Sequence, residues 1–420
     1  MVKNRDNKQK MLSLKSRDYI GICLLGFGLM LANGMVFPLM SLYAEEFTTS
    51  LWLIGLSAAV FWITRMFLEV PIGLLSDRTS RYKIIFSGII IGAISFVFTA
   101  FITNIYQLIV TRALLAVGTV AFFVATLAYV ADHFSSETKG KALGILQAVE
   151  FSTITIGSSL GGYLATTFSF RTVFIIGALI QLSIFTFAIT SKVLRENGSP
   201  VLKKEEGHHP SLKSSSQGFF RILLIKEVAI ASFAIFIVQI MDSGLLFVIV
   251  PLYVDNILGM GLTEIGLMMA TRGAGVGVGA VLGGFLFDKL HPRMRLINYV
   301  LAFAIGGIAT FLFTSTNILV LLALLTLLTG VTFGLVYSTT PALVANSTAH
   351  YSTGTAMGTW RTLFDLGGFI SPIILGGIAE SMGLVAPFYV TYSLLFLCTG
   401  LFIVLIFTMR PVVLNRKTES

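Results

Sequence analysis

Charge is what this sequence has least of: 12% of its 420 residues are Asp, Glu, Lys or Arg, against about 25% in a soluble domain. The length alone would suggest two or three globular domains, but that supply of polar groups is too small to wet their surfaces. Cysteine is nearly absent. Cys23 and Cys398 stand near opposite ends of the chain, which gives neither a disulfide framework nor a zinc spacing. No G-x-x-x-x-G-K-[ST] phosphate loop and no H-E-x-x-H pair occur, so the chain carries no ATPase or metalloprotease signature. His133, His291 and His350 are isolated, and His208-His209 lie in a polar stretch. No metal, no cofactor and no enzymatic activity are expected.

What is abundant is apolar sequence: 55% hydrophobic residues, 35 of them Phe, and a mean hydropathy of +0.88. A membrane-spanning helix needs about 20 mostly apolar residues. Twelve windows qualify: 19–43, 52–75, 83–103, 106–131, 142–166, 170–192, 226–253, 263–287, 295–315, 318–343, 355–380 and 384–409. Strict alternation over about ten residues, the mark of a membrane β-strand, is missing. The expected fold is therefore all-α and integral to the membrane, with twelve transmembrane helices.

The basic residues orient them. Of the 29 Lys and Arg, all but Arg65, Arg112, Arg171, Arg272 and Arg361 fall in the tails and on one set of alternate loops. Glu45, Glu46, Asp255 and Glu380 fall on the other set. By the positive-inside rule both termini are cytoplasmic, in a multi-pass protein of the cell membrane. The net charge of +9 is thereby assigned to topology and lipid headgroups rather than to nucleic acid. Residues 193–225 open with the one long polar stretch and read as a cytoplasmic linker. The expected organisation is a tail over 1–18, a six-helix bundle over 19–192, the linker, a second six-helix bundle over 226–409 and a tail over 410–420.

The two halves repeat each other. Ile54-Gly55-Leu56 matches Ile265-Gly266-Leu267, and Gly73-x-Leu75-x-Asp77-Arg78 matches Gly284-x-Leu286-x-Asp288-Lys289 at the same offset. Gly140-x-Ala142-x-Gly144 and Gly161-Gly162 find partners at Gly354-x-Ala356-x-Gly358 and Gly376-Gly377, at a slightly larger one. Parallel repeats of this kind place a substrate cavity at their interface, near the bilayer midplane.

The run Gly73-x-Leu75-x-Asp77-Arg78-x-Ser80-Arg81, with Lys83 after it, resembles the loop 2–3 motif of the major facilitator superfamily, with Ser80 in place of its second glycine. The resemblance covers essentially the whole chain. Glycine in such a motif would let two helices approach closely. Span four carries Arg112 and, six residues on, Gly118, similar to the family's arginine-bearing motif with Ala116 at its first glycine. Span five carries Gly144 and then Gly157-Ser158-Ser159-Leu160-Gly161-Gly162. This resembles the G-P-x-x-G-G element of the twelve-span drug/proton antiporters, although Ser158 replaces the proline and Thr153 an upstream glycine. The resemblance implies a secondary transporter working by alternating access. The span-five element implies a proton-coupled exporter; its other reading is helix packing through small residues.

Eight ionisable residues fall inside spans: Arg65, Glu69, Arg112, Glu150, Asp242, Arg272, Arg361 and Asp365. Each costs at least ~2.5–3.5 kcal/mol to insert, so each needs a partner or a task. At ~1.5 Å per residue, Glu69 and Arg361 lie roughly 9 Å above the cytoplasmic end of spans two and eleven, and Arg65 and Asp365 roughly 15 Å. In the family these helices are neighbours across the interface, so Arg65 is expected to face Asp365 and Glu69 to face Arg361 as an interdomain gate. The alternative is that each i, i+4 pair neutralises itself within its own helix. Asp242 and Arg272 fall at similar depth and can pair within the second half. Glu150 has no evident basic partner, which makes it the first candidate for proton coupling and Asp242 the second; otherwise Glu150 is a protonated helix contact.

Candidate cavity residues are Asn33, Phe37, Trp62, Gln239 and Trp360. Aromatic and Met-rich walls with an acidic group suit small lipophilic or cationic compounds. Few Asn and Gln within the spans argue against a sugar importer. The competing reading is a symporter or facilitator for a sugar, an organic anion or another metabolite. The expected partners are a small-molecule substrate, protons and the lipid bilayer, with the monomer as the functional unit.

Overall fold

The computed structural model describes residues 13, 14, 16–134, 136–190, 221–291, 294–347 and 353–408. Most of the 1–18 tail, nearly all of the 193–225 linker and all of the 410–420 tail lie outside the described residues. All regular structure among the described residues is helical. The first long rod is α1 (Arg17–Val36), a 3-10 turn (Phe37–Leu39) and α2 (Met40–Glu45). It is followed by α3 (Leu51–Arg78), α4 (Arg81–Thr99), α5 (Ile105–His133), α6 (Ser136–Thr167) and α7 (Phe170–Thr190). The second half holds α8 (Lys226–Gln239), a π-helical segment (Ile240–Ile249) and α9 (Val250–Asn256), again one rod. Then come α10 (Leu262–Lys289), α11 (Ile297–Phe313), α12 (Leu319–Ser347), α13 (Thr353–Met382) and α14 (Ala386–Thr408).

Local chemistry sets the boundaries. Ser16 and Ser50 accept from the backbone N–H groups of Tyr19 and Leu53, capping α1 and α3. Asn104 caps α5 through Gln107 N at 3.0 Å, and the Gln107 amide oxygen accepts in return from Thr103 N at 2.7 Å. This reciprocal arrangement, akin to a capping box, separates two helices that the sequence leaves only three residues apart. Pro38, which has no N–H to give, sits in the 3-10 turn and breaks the first rod.

Eleven helices among the described residues are long and apolar enough to cross a membrane. Side chains such as Phe67, Val110, Val281, Leu397 and Phe407 are each at least 66% exposed on their outer faces. An apolar belt of that extent makes sense only against lipid. A further helix, α6, has 32 residues and is interrupted by Thr, Ser and Gly between Ser152 and Gly162.

Within the first half α1 packs on α6 and α7, and α5 on α3 and α4. Within the second, α12 packs on α10, α8 and α11, and α14 on α11. Two contacts join the halves most extensively, α3 on α13 and α6 on α10. For orientation, the end of the molecule carrying Arg81 and Lys289 is termed the basic end, and the end carrying Glu45, Glu46 and Glu380 the acidic end.

Candidate functional site

Between the halves lies a cavity of about 170 Å³. Its walls come from the broken first rod, from α3 and α5, from the π-helical segment, and from α10, α12 and α13. The break at Pro38 brings in Phe37, whose ring meets Phe61 edge-on at 5.3 Å. The π-helical segment brings in Asp242 and Phe247, five residues apart and both facing the space.

Four arginines line this space: Arg65, Arg112, Arg272 and Arg361. Arg272 and Asp242 form a buried ion pair, and the guanidinium lies over Phe247 at 4.8 Å and Phe333 at 5.4 Å. This is the pairing within the second half that their depths suggested. Arg112 is buried over the rings of Phe61 at 4.9 Å and Phe37 at 5.2 Å.

Toward the basic end, α3 and α13 are joined by a ladder of charge. Arg65 Nε stands 3.5 Å from Asp365 Oδ1, and Arg361 Nε donates to Glu69 Oε1 at 3.1 Å. Arg65 Nη2 also donates to Glu69 within its own helix at 3.2 Å. The cross-interface pairs and one of the i, i+4 pairs therefore coexist, and four side chains form a single network.

At the acidic end the halves touch directly. A Cβ on Gly55 of α3 would strike the Pro372 carbonyl of α13, and one on Gly162 of α6 would fall 3.0 Å from Gly266 Cα of α10. Only glycine permits backbones this close. Polar contacts close the same end: Glu380 accepts from Ser50 Oγ at 2.9 Å and Trp52 N at 2.8 Å, and Asn256 donates to Glu45 at 2.9 Å.

The predicted glycines divide. Gly157 and Gly161 seat α6 against the backbone of α1 around Gly34 and Met35, so the span-five element acts in packing here. Gly73 and Gly284 are corrections. A Cβ on Gly73 would meet only Val124 Cγ1 at 3.8 Å, and one on Gly284 nothing within 4 Å. Neither permits a close approach, because each lies on a face of its helix that no second backbone crosses; a Cβ on the adjacent Gly283, by contrast, would fall 3.0 Å from the Leu335 carbonyl oxygen of α12. Arg81 donates to Ser76 Oγ at 3.3 Å, and Lys289 Nζ lies 4.2 Å from the centre of the Phe285 ring. The side chains of Asp77, Arg78, Glu150 and Asp288, and the surroundings of Gly144, lie outside the described residues.

Of the candidate cavity residues, Phe37 and Trp62 line the space. Asn33, Gln239 and Trp360 do not. Asn33 is buried where α1 passes α6, the Gln239 Cβ abuts Gly367 of α13, and Trp360 is stacked behind Phe364. The sequence reading missed Phe333, Tyr337 and Phe364, which form much of the second half's wall. The i, i+4 aromatic spacing of Phe333 with Tyr337 was the available signal.

The family model described as Major Facilitator Superfamily matches residues 22–372 and 231–420. The chain is 27% identical over 390 residues to "Multidrug resistance protein MdtG" of Proteus mirabilis, covering 86% of this chain and 89% of that protein. It is 25% identical over 361 residues to an uncharacterized MFS-type transporter of Methanocaldococcus jannaschii, covering 85% and 90%. Among solved structures, a bacterial homolog to the human lysosomal transporter Spinster, inward-facing and unoccupied, superposes with a TM-score of 0.74 at 15% identity, covering 93% of this chain and 96% of that one. The nucleoside transporter NupG gives 0.71 at 12%, covering 94% and 100%. At those identities the structures speak for the fold alone.

Proposed function

The chain belongs to the major facilitator superfamily, and from that premise we propose that it is a proton-coupled exporter of small lipophilic or cationic compounds working by alternating access. The observation that carries this reading is the cavity, walled by both halves, packed shut at the acidic end and floored by the charge ladder. The multidrug resistance relative supports export. In this reading α6 is the twelfth crossing, residues 19–192 and 226–409 are two six-helix bundles, and both termini face the cytoplasm. The sequence repeat supports it: the repeat relates α3 to α10 and α6 to α13, so the two main contacts, α3 on α13 and α6 on α10, are one contact made twice. Rocking about those contacts would expose the cavity to each side in turn.

The ladder is then the gate toward the basic end, and parts when the cavity opens there. Glu150 and Asp242 are the proton-coupling candidates, Glu150 from its place in span five and Asp242 from its place on the wall, where protonation would release Arg272. The partners in this reading are the substrate, protons and the cell-membrane bilayer, with the monomer sufficient.

Purified protein in sealed liposomes should accumulate a lipophilic fluorescent compound when a pH gradient is imposed, and lose that accumulation when the gradient is collapsed. Glu150→Gln should abolish the gradient dependence and leave binding intact. Flux indifferent to the gradient in the unsubstituted protein would refute proton coupling.

A further inference from the structure

Three of the four arginines on the cavity wall have their charge answered: Arg272 by Asp242, Arg65 by Asp365 and Glu69, and Arg361 by Glu69. Arg112 does not. Its side chain is 3% exposed, its Nε and Nη1 have no hydrogen-bond partner, and no carboxylate among the described residues lies within ion-pair distance. A buried charge without a counter-ion is among the least favourable arrangements a protein can hold. The faces of Phe37 and Phe61 offset part of that cost, since a ring quadrupole attracts a cation, but they do not neutralise it. A second polar group on the same wall, the hydroxyl of Ser41, is also buried and without a partner. The one carboxylate on the described wall, Asp242, is already engaged by Arg272 and is not free to receive a cation.

We propose that the cavity binds an organic anion with an apolar body, its carboxylate or phosphate-type group seated on Arg112 with a hydrogen bond from Ser41. Phe37, Phe61 and Phe247 then enclose the apolar part. A guanidinium offers such a group two parallel donors, a match that lysine cannot reproduce. The ligand supplies the missing counter-ion, so binding and charge neutralisation are one event. This rests on the transport reading only in taking the cavity as the substrate site. It narrows the expected substrate from lipophilic or cationic compounds to lipophilic anions. The same chemistry could come from a soluble amphiphile or from the headgroup of an anionic lipid.

Two probes that share a fluorophore and differ in charge decide the matter: dansylglycine, an anion, and dansylcadaverine, a cation. Trp62 on the cavity wall serves as the energy-transfer donor. In protein reconstituted into neutral phosphatidylcholine, dansylglycine should bind at least tenfold more tightly than dansylcadaverine. Arg112→Gln should lower dansylglycine affinity at least tenfold and leave neutral dansylamide within twofold, with Arg112→Lys intermediate. Equal affinity for the two charges, a preference for the cation, or an anion preference that survives Arg112→Gln would overturn the proposal. If Arg112→Gln does not fold, the comparison in the unsubstituted protein still decides, with Ser41→Ala expected to weaken only the anion. Adding phosphatidylglycerol separates the sources: loss of dansylglycine binding marks a lipid headgroup, and unchanged binding a soluble anion. Charge-selective binding without gradient-driven flux would refute the exporter reading and leave this one standing. Flux without charge selectivity would do the reverse.

Discussion

The charge ladder between α3 and α13 makes an uneven prediction about its four members. Asp365 is fully buried and its near cation is Arg65 at 3.5 Å. Removing that cation by Arg65→Met strands a carboxylate with no solvent, a change that typically costs about 3–5 kcal/mol. Asp365→Asn is milder, because Arg65 keeps Glu69 at 3.2 Å, and the loss of one charged contact is worth about 1.5–3 kcal/mol. Glu69→Gln should cost least, about 1 kcal/mol, since Glu69 and Arg361 are 21% and 23% exposed and the cavity can hydrate them. The Coulomb attraction across 3.5 Å at an effective dielectric near 20 is about 4–5 kcal/mol before desolvation. Exchanging the charges, Arg65→Asp with Asp365→Arg, should therefore recover about 2 kcal/mol or more of what the single changes lose. Denaturant unfolding of the purified protein in mixed micelles gives the energies, and gradient-driven flux in liposomes shows whether the exchanged gate still works. A coupling energy near zero, or a Glu69→Gln cost equal to that of Arg65→Met, would refute the reasoning.

The pair Asp242–Arg272 should follow the rule for buried ion pairs. Arg272→Met alone should cost about 3–5 kcal/mol in the same unfolding assay, and Asp242→Leu with Arg272→Met clearly less. Gly55→Ala should push α3 from α13 and cost about 1–3 kcal/mol of packing, with increased labelling of a cysteine introduced at the acidic end. Gly284→Ala, for which there is room, should cost nothing by packing and gain about 0.5–1 kcal/mol in helix propensity. Glu380→Ala removes an acceptor at the start of α3 and should lower stability by about 0.5–2 kcal/mol, again with increased labelling at the acidic end.

The ladder was legible from two things together: depth along a helix follows from residue number, and the family resemblance implied that spans two and eleven are neighbours. A fixed rise per residue then matched Arg65 with Asp365 and Glu69 with Arg361. Which way a side chain points around the axis was not legible. In a soluble helix the polar face betrays the azimuth, but here lipid and core are both apolar and that signal vanishes. Asn33 and Gln239 therefore looked like cavity groups and proved to be buried between helices. Gly73 and Gly284 failed for a related reason: a motif records that glycine stands at a position, not whether a second backbone crosses there. Phe37 was placed correctly, yet the feature that turns it inward, the break at Pro38, was not recognised as one.

The π-helical segment Ile240–Ile249 carries one more consequence. A π turn bonds residue i to i+5 and so takes up one more residue than an α turn. The rod α8–α9 thus stores slack in its middle, at the level of the cavity. Rewinding even one such turn as α-helix would swing everything beyond it around the axis. Asp242 and Phe247 would change their bearing on each other while α8, locked against α12 and α13, stayed in place. A rewinding of that kind would reshape the cavity wall locally, in addition to the rocking of the two halves.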